Sequence, residues 1–373
     1  MPMEDEKTII TPLIVDAHED LAWNMMNFNR DYTLSAAEIR QREQSSQVPN
    51  LNGDTLLGWP EYQRGRVAIV FGVLFGLPIR FKLADWETQS YATAEQAHKI
   101  YRKQFVRFQK LVDESPDKFH LVETKKDLGE VLNDWENDQK TDHPVGLVTL
   151  MEGAEGIRQP KEAEEWWELG VRIIGLAWSG TRFCGGTNAP GPLTKEGYQL
   201  LESMADIGFT LDITHMDSLA ALQALDIYPK GIIASHSNAL GRLKGMEINR
   251  HLPDTVIRRL IERDGVIGVV LFNGFLEPRW KKGDNRLSVT LQHIVAQIDY
   301  ICQMAGDARH VGIGSDFDGG FGLQAVPNEI DTVADLQKLA PILLEKGYST
   351  EDVADILGGN WLRHLRQILP EAL

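Results

Sequence analysis

The chain has 373 residues, enough for one large domain or two small ones, and 43% hydrophobic with 25% charged content is the make-up of an ordinary globular protein. A formal charge of −16, from 54 acidic residues against 38 Lys and Arg, argues against a nucleic-acid backbone or an anionic membrane as partner. Cys184 and Cys302 are the only two cysteines, which excludes a disulfide framework and a thiolate zinc site.

The start, MPMEDEKTII, is acidic and lacks the basic lead and apolar core of a secretory signal. No apolar stretch reaches membrane-spanning length, so a cytoplasmic protein is expected. Eight short apolar runs follow: Leu13–Ala17, Val67–Phe75, Val145–Met151, Val171–Trp178, Phe209–Thr214, Gly231–Ser235, Val266–Phe272 and Val311–Ser315. Most are dense in Val and Ile without alternation, the pattern of parallel strands buried on both faces.

Helical patterns separate these runs. Pro160–Gly170 opens on Pro and acids and closes on Gly, and Leu193–Ile207 carries a cap candidate at Thr194. Pro253–Arg263 and Leu291–Met304 show apolar residues at helical spacing, and the tail adds Thr332–Lys346, Thr350–Leu357 and Asn360–Leu369. Two connections are longer than plain barrel loops. Residues 19–66 contain a helix-like stretch around Ser35–Gln47, and residues 76–144 contain helical patterns at Asp85–Val112 and near Lys125–Trp135. Strand–helix alternation repeated eight times predicts a (β/α)8 TIM barrel over residues 1–373, one domain with helical insertions after strands 1 and 2. A doubly wound sheet is the structural rival, but it does not bring eight strand ends to one point.

The chemistry gathers at those ends. His18 and Asp20 (IVDAHED), Glu152 (GLVTLMEG), His215 (FTLDITH), His236 (GIIASH) and Asp316 (HVGIGSDFDGG) each stand where a β-rich run stops. On an extended strand His18 and Asp20 project to one side and Asp16 to the other, which makes Asp16 a structural or supporting group. Each residue alone has an ordinary reading: a carboxylate such as Glu152 caps a helix, and a lone His is a hydrogen-bonded core residue. Glu155, deeper in its loop, is the weaker carboxylate. Together, imidazoles and carboxylates without thiolate suit zinc or a similar divalent metal. Two His, a bridging carboxylate and a His/Asp pair would hold two such ions and activate a shared water. Arg250, in a long loop after a strand, is a natural bidentate clamp for a carboxylate. Asp316, beside the FDGG turn, is placed to act as base or proton shuttle; Asp318 either supports it or caps the turn.

The stretches DAHEDLAW, MEGAEG, DITH, ASHSNA, NRHLPD and GSDFDG occur in order over residues 16–319, and GNWLRHL follows near the end. In these the chain resembles the membrane (renal) dipeptidase family of zinc peptidases, within the amidohydrolase-like barrels. The resemblance implies that His18, Asp20 and Glu152 hold one zinc, and that Glu152, His215 and His236 hold the other. It implies that Arg250 receives the substrate's terminal carboxylate, and that Asp316 contacts the free amine or shuttles the proton.

One position departs from the family. Its animal members carry a substrate-binding His in a Leu-Thr-His pattern after the fourth strand, where this chain reads Gly175-Leu176-Ala177-Trp178. Trp178 could offer its indole N–H, Arg182 could substitute, or the two metals could carry the developing charge alone. The expectation is a two-metal dipeptidase acting through a metal-bridging hydroxide on dipeptides, with no Ser or Cys nucleophile. The rivals are a barrel hydrolase of another amide, lactone or ester, and a degenerate metal-binding barrel serving as an interaction module. Side-chain preference and oligomeric state, a homodimer included, are open at this stage.

Overall fold

The computed structural model describes residues 11–137 and 139–372; the leading stretch read above for a secretory signal lies outside them. The eight runs form the strands β1 (Ile14–Glu19), β2 (Val67–Phe75), β3 (Val145–Glu152), β4 (Val171–Gly175), β5 (Thr210–Asp212), β6 (Ile232–Ile233), β7 (Ile267–Val269) and β8 (Val311–Ile313). Every residue in them is buried, as their unbroken apolar runs require. All neighbours pair in parallel, in the order β6-β5-β4-β3-β2-β1-β8-β7, and a parallel bridge from Ala234 to Ile267 joins the two ends. The result is a (β/α)8 barrel. A doubly wound sheet keeps two free edges, and here those edges meet.

Register fixes what reaches the mouth. Phe75 pairs with Glu152, Glu152 with Gly175, Gly175 with Asp212, and Asp212 with Ile233, a line across the C-terminal end of the sheet. Residues just past that line (Trp178, His215 and His236) therefore stand at the rim. Closure depends on two glycines. A Cβ on Gly268 or on Gly314 would fall 1.9 Å from the Ser235 carbonyl oxygen, while the Ser237 N–H donates to Gly268 O at 2.7 Å. Gly268→Ala must push backbone against backbone between β6 and β7. The expected cost is about 3 kcal/mol, the upper end for overpacking, read as a lower urea midpoint with an unchanged slope. A midpoint equal to wild type would mean that the strands close differently.

The other end is plugged by the last helix, Asn360–Ile368. Its Trp361 donates to Ile313 O at 2.9 Å and meets the Phe71 ring edge-on at 5.5 Å, in space left open by Gly312, whose Cβ would lie 2.3 Å from the indole nitrogen.

Most expected helices are present: Lys195–Ile207 capped by Thr194, Asp254–Glu262, Leu291–Ala305, Ala36–Glu43 and Lys125–Trp135. Others differ in form. The segment 160–170 begins as a 3₁₀ turn before the helix Ala163–Glu168, and Thr332–Lys346 divides into 3₁₀ and α portions. The long insertion helix begins only at Ala94, because Leu77–Pro78 and Ser90–Tyr91 pair as a small ladder and Thr93 supplies the cap. The helices Leu21–Phe28 and Ser218–Ile227 have no counterpart among the sequence expectations. Ser218–Ile227 is apolar nearly all round, with Leu219 and Ile227 half exposed, so it shows no 3.6-residue period. Among the described residues, no helix is long and apolar enough to cross a membrane.

Candidate metal centre

The strand ends bring His18, Asp20, Glu152, His215, His236 and Asp316 into one buried cluster. The two oxygens of Glu152 face different partners. Its Oε2 lies 3.9 Å from His18 Nε2, whereas its Oε1 lies 3.1 Å from His215 Nε2 and 3.4 Å from His236 Nε2. His18 Nε2 is also 3.6 Å from Asp20 Oδ2 and 3.9 Å from Asp316 Oδ1. Donor atoms of His18, Glu152 and His236 fall within 4.8 Å of one another, as do those of His18, Asp20 and Asp316.

The far nitrogens are held from behind. His236 Nδ1 meets Ser235 Oγ at 2.9 Å, and Ser235 Oγ donates to Asp212 Oδ2 at 2.5 Å. That chain makes His236 Nδ1 the donor and turns the Nε2 lone pair into the cluster. His215 Nδ1 meets Thr187 Oγ1 at 2.9 Å, a contact in which either atom can donate. Both nitrogens of His18 and Oε1 of Glu152 are buried without a hydrogen-bond partner. Native interiors rarely leave such groups orphaned, so this donor set fits divalent cations.

Electrostatics agree with the geometry. Burial holds His215 and His236 well below the ordinary imidazole range, with Arg250 and His18 adding to the effect, so both rings are neutral. Burial also disfavours charge on His18, but the carboxylates of Glu152, Asp20 and Asp316 outweigh it and push His18 up to about 9. Glu152 rises to about 8 through burial and the Asp20 and Asp316 carboxylates, and Asp316 rises to about 7 through burial and Asp20. The metal-free fold thus binds more protons than the unfolded chain. For Glu152 that excess spans the range from its ordinary 4.5 to about 8, and stability falls as pH rises through it. Cations must displace these protons. At pH 7, metal uptake is expected to release at least one proton per chain, with affinity climbing toward about pH 9 as His18 and Glu152 shed theirs. Calorimetry in two buffers of different ionisation enthalpy reads the number directly, and zero release would contradict the ligand assignment.

Asp316 and Asp318 both take left-handed backbone, at φ 61° and 63°. Gly319 is required behind them: a Cβ there would sit 2.2 Å from Asp316 Oδ1 and 2.8 Å from Asp20 Oδ2. Asp318 supports the turn. Its carboxylate accepts from Arg30, Tyr32, Thr55 and the Leu56 N–H at 2.6–3.0 Å, binding the insertion after β1 to the loop after β8. Asp16 faces away, as expected, and accepts from the Ser315 N–H at 2.7 Å.

The cluster floors a cavity of about 400 Å³, in the usual range for ligand sites. Arg250 lines it. Its guanidinium is buried and donates to His236 O at 3.0 Å and Ser237 Oγ at 3.4 Å; Nε has no partner, and among the described residues no carboxylate pairs with it. Trp178 also lines the cavity, with its ring 5.5 Å from Phe75, 5.3 Å from Phe81 and 6.0 Å from His215. Arg182 does not take the place of the absent His. It is paired with Glu155 at 2.7 Å and lies over Phe183, which removes both Arg182 and Glu155 from the site. Burial pushes the Cys184 and Cys302 thiols up to about 12 and about 11, so neither is a nucleophile at neutral pH. Sequence reasoning missed Thr187, the Ser235–Asp212 support and the cavity walls. Ser235 stands next to His236, and Asp212 three residues before His215, so that pair had a local signal; Thr187 had none.

The His/carboxylate cluster lies at the C-terminal mouth of a parallel (β/α)8 barrel, where enzymes of this fold carry their active sites. Residues 4–371 match the family profile of membrane dipeptidase (peptidase family M19), and the chain belongs to that family. An uncharacterised dipeptidase of Schizosaccharomyces pombe is 30% identical over 62% of this chain, and the match covers 56% of that protein's own length. The fold is similar to that of a metallo peptidase described as dipeptidase AC, at TM-score 0.77 and 21% identity, covering 97% of this chain and all of that one. It is also similar to a metallo peptidase of Rhodobacter sphaeroides liganded with a phosphinate mimic of L-Ala-D-Ala. That match has TM-score 0.76 and 20% identity, over 96% of this chain and all of that one.

Proposed function

We propose that this chain hydrolyses the peptide bond of free dipeptides and depends on two divalent cations. The observation that carries the reading is the buried, carboxylate-free guanidinium of Arg250 in the same cavity as the His/carboxylate cluster. Family membership and the fold's likeness to a peptidase that binds a dipeptide mimic support it. His18, Asp20 and Glu152 would hold one ion, and Glu152, His215 and His236 the other. Zinc suits this thiolate-free set best. Such cations supply Lewis acidity toward a carbonyl and bring the acidity of water toward neutrality.

The protein's own groups do the rest. Arg250 grips the terminal carboxylate through its unpartnered edge and fixes which carbonyl lies over the cluster. Asp316, whose Oδ1 lies 3.9 Å from His18 Nε2 at the edge of the cluster, takes a proton from the attacking water and returns it to the amide nitrogen as the C–N bond breaks. Trp178 packs with Phe75 and Phe81 as a wall, so its contribution is shape. Hydrolysis of a dipeptide library, with side chain and stereochemistry varied and zinc added, tests the reading. Turnover of free dipeptides is expected; turnover confined to lactones, esters or other amides would overturn it.

A further inference from the structure

The cavity mouth is built from two arcs of the barrel that differ in character. After β6 and β7, Arg250 lies over the Phe275 ring at 5.2 Å, and Phe275 packs edge-on to Phe272 at 4.9 Å. On the arc from β1 to β4 the large apolar lining side chains are Trp23, Phe75, Leu77, Leu83, Trp86 and Trp178. These side chains brace one another: Trp23 meets Trp86 edge-on at 6.1 Å, and Phe75 meets Trp178 at 5.5 Å. Trp23, Phe75, Leu77, Trp86 and Trp178 belong to one hydrophobic cluster, whereas Phe272 packs on another. In a ring of eight strands, β2–β4 stand opposite β6–β8, with the His18–Glu152–His236 cluster between them.

A dipeptide whose carboxylate rests on Arg250, and whose carbonyl lies over the cluster, must lay its first residue on the β1–β4 arc. We infer that this arc selects dipeptides with a large apolar first residue, Leu-sized or aromatic, an inference that rests on the dipeptidase reading above. Leu83 strengthens it: although 82% exposed, it lines the cavity near Trp86, apolar surface of the kind a ligand covers. Beside Asn52 and Thr187, which also line this arc, Glu87 is a buried carboxylate that accepts from the Leu83 N–H at 3.2 Å. It makes Lys-first peptides the competing class. Six apolar neighbours around a second desolvated charge disfavour them.

The test compares wild type with Trp86→Ala and with Leu83→Ser, whose exposed position makes its folding safe. Two quantities are measured on zinc-loaded protein: kcat/KM for Phe-Ala, Leu-Ala, Ala-Ala and Lys-Ala, and calorimetric Kd for their reduced-amide analogues, which cannot be hydrolysed. Phe-Ala and Leu-Ala are expected to exceed Ala-Ala by roughly ten- to hundredfold in both, the factor that burying an apolar side chain supplies. In each variant that ratio is expected to fall fivefold or more. A flat profile, a Lys-Ala preference, or ratios unmoved in both variants would overturn the inference while leaving a dipeptidase. If no free dipeptide is cleaved or bound, the dipeptidase reading falls and this inference falls with it.

Discussion

Glu152→Gln is expected to lose more than half of the bound metal or nearly all turnover, whereas Glu155→Gln keeps both. The contrast follows from position. Glu152 presents one oxygen to His18 and the other to His215 and His236, so a single carboxylate serves both halves of the cluster. An amide keeps one oxygen, loses the charge, and puts an NH₂ against neutral imidazoles or a cation. Glu155 is three residues on and already bound to Arg182 at 2.7 Å, outside the cavity. The amide of Glu155→Gln keeps an oxygen for the Arg182 N–H that Glu155 accepts at 3.0 Å, so the change costs a partly exposed ion pair, worth about 1 kcal/mol or less. Metal per chain by elemental analysis, with kcat on the same samples, checks the pair of variants. Equal metal and turnover in wild type and Glu152→Gln would remove Glu152 from the centre.

Amidation of the substrate's terminus should have the second largest effect. With its carboxylate converted to an amide, a good dipeptide leaves Arg250 facing a neutral group in a buried setting. Loss of a charge-assisted bidentate pair is expected to cost about 2–4 kcal/mol, or roughly thirty- to a thousandfold in kcat/KM. Arg250→Met should erase most of the difference between acid and amide, because the free carboxylate then has no partner either. Dipeptide amides cleaved as fast as free dipeptides by wild type would show that Arg250 serves the fold alone, through His236 O and Ser237 Oγ.

How much of this was legible in the sequence follows from what each residue depends on. The eight strands were, because parallel strands buried on both faces read as unbroken apolar runs, and only barrel closure brings eight such ends together. His18, Asp20, Glu152, His215, His236 and Asp316 were legible for the same reason: each stands within a few residues of a strand end, so fold and site come from one pattern. The walls were not. Trp23 lies on a short helix that starts one residue after β1, Trp86 in a stretch that reads as helix until Thr93 caps the real one, and Thr187 in the turn of a small hairpin, Cys184–Gly186 with Ala189–Leu193. Their places are set by tertiary contacts between insertions, which no local period encodes. Arg182 shows the converse. It was named as a substitute donor because it is near Trp178 in sequence, yet its charge is spent on Glu155. The sequence allows Asp318 two roles, and the four donors around its carboxylate decide for support of the turn.

Under the proposed function, one cluster holding two cations cleaves free dipeptides. This is tested most directly by titrating metal-free protein with zinc while following both bound metal and hydrolysis of a dipeptide such as Leu-Ala. Turnover is expected to be negligible in the metal-free protein, to rise with added zinc, and to reach a plateau at two ions per chain. Dipeptide turnover that persists under chelation, that saturates at one ion per chain, or that is absent at every zinc content would contradict it.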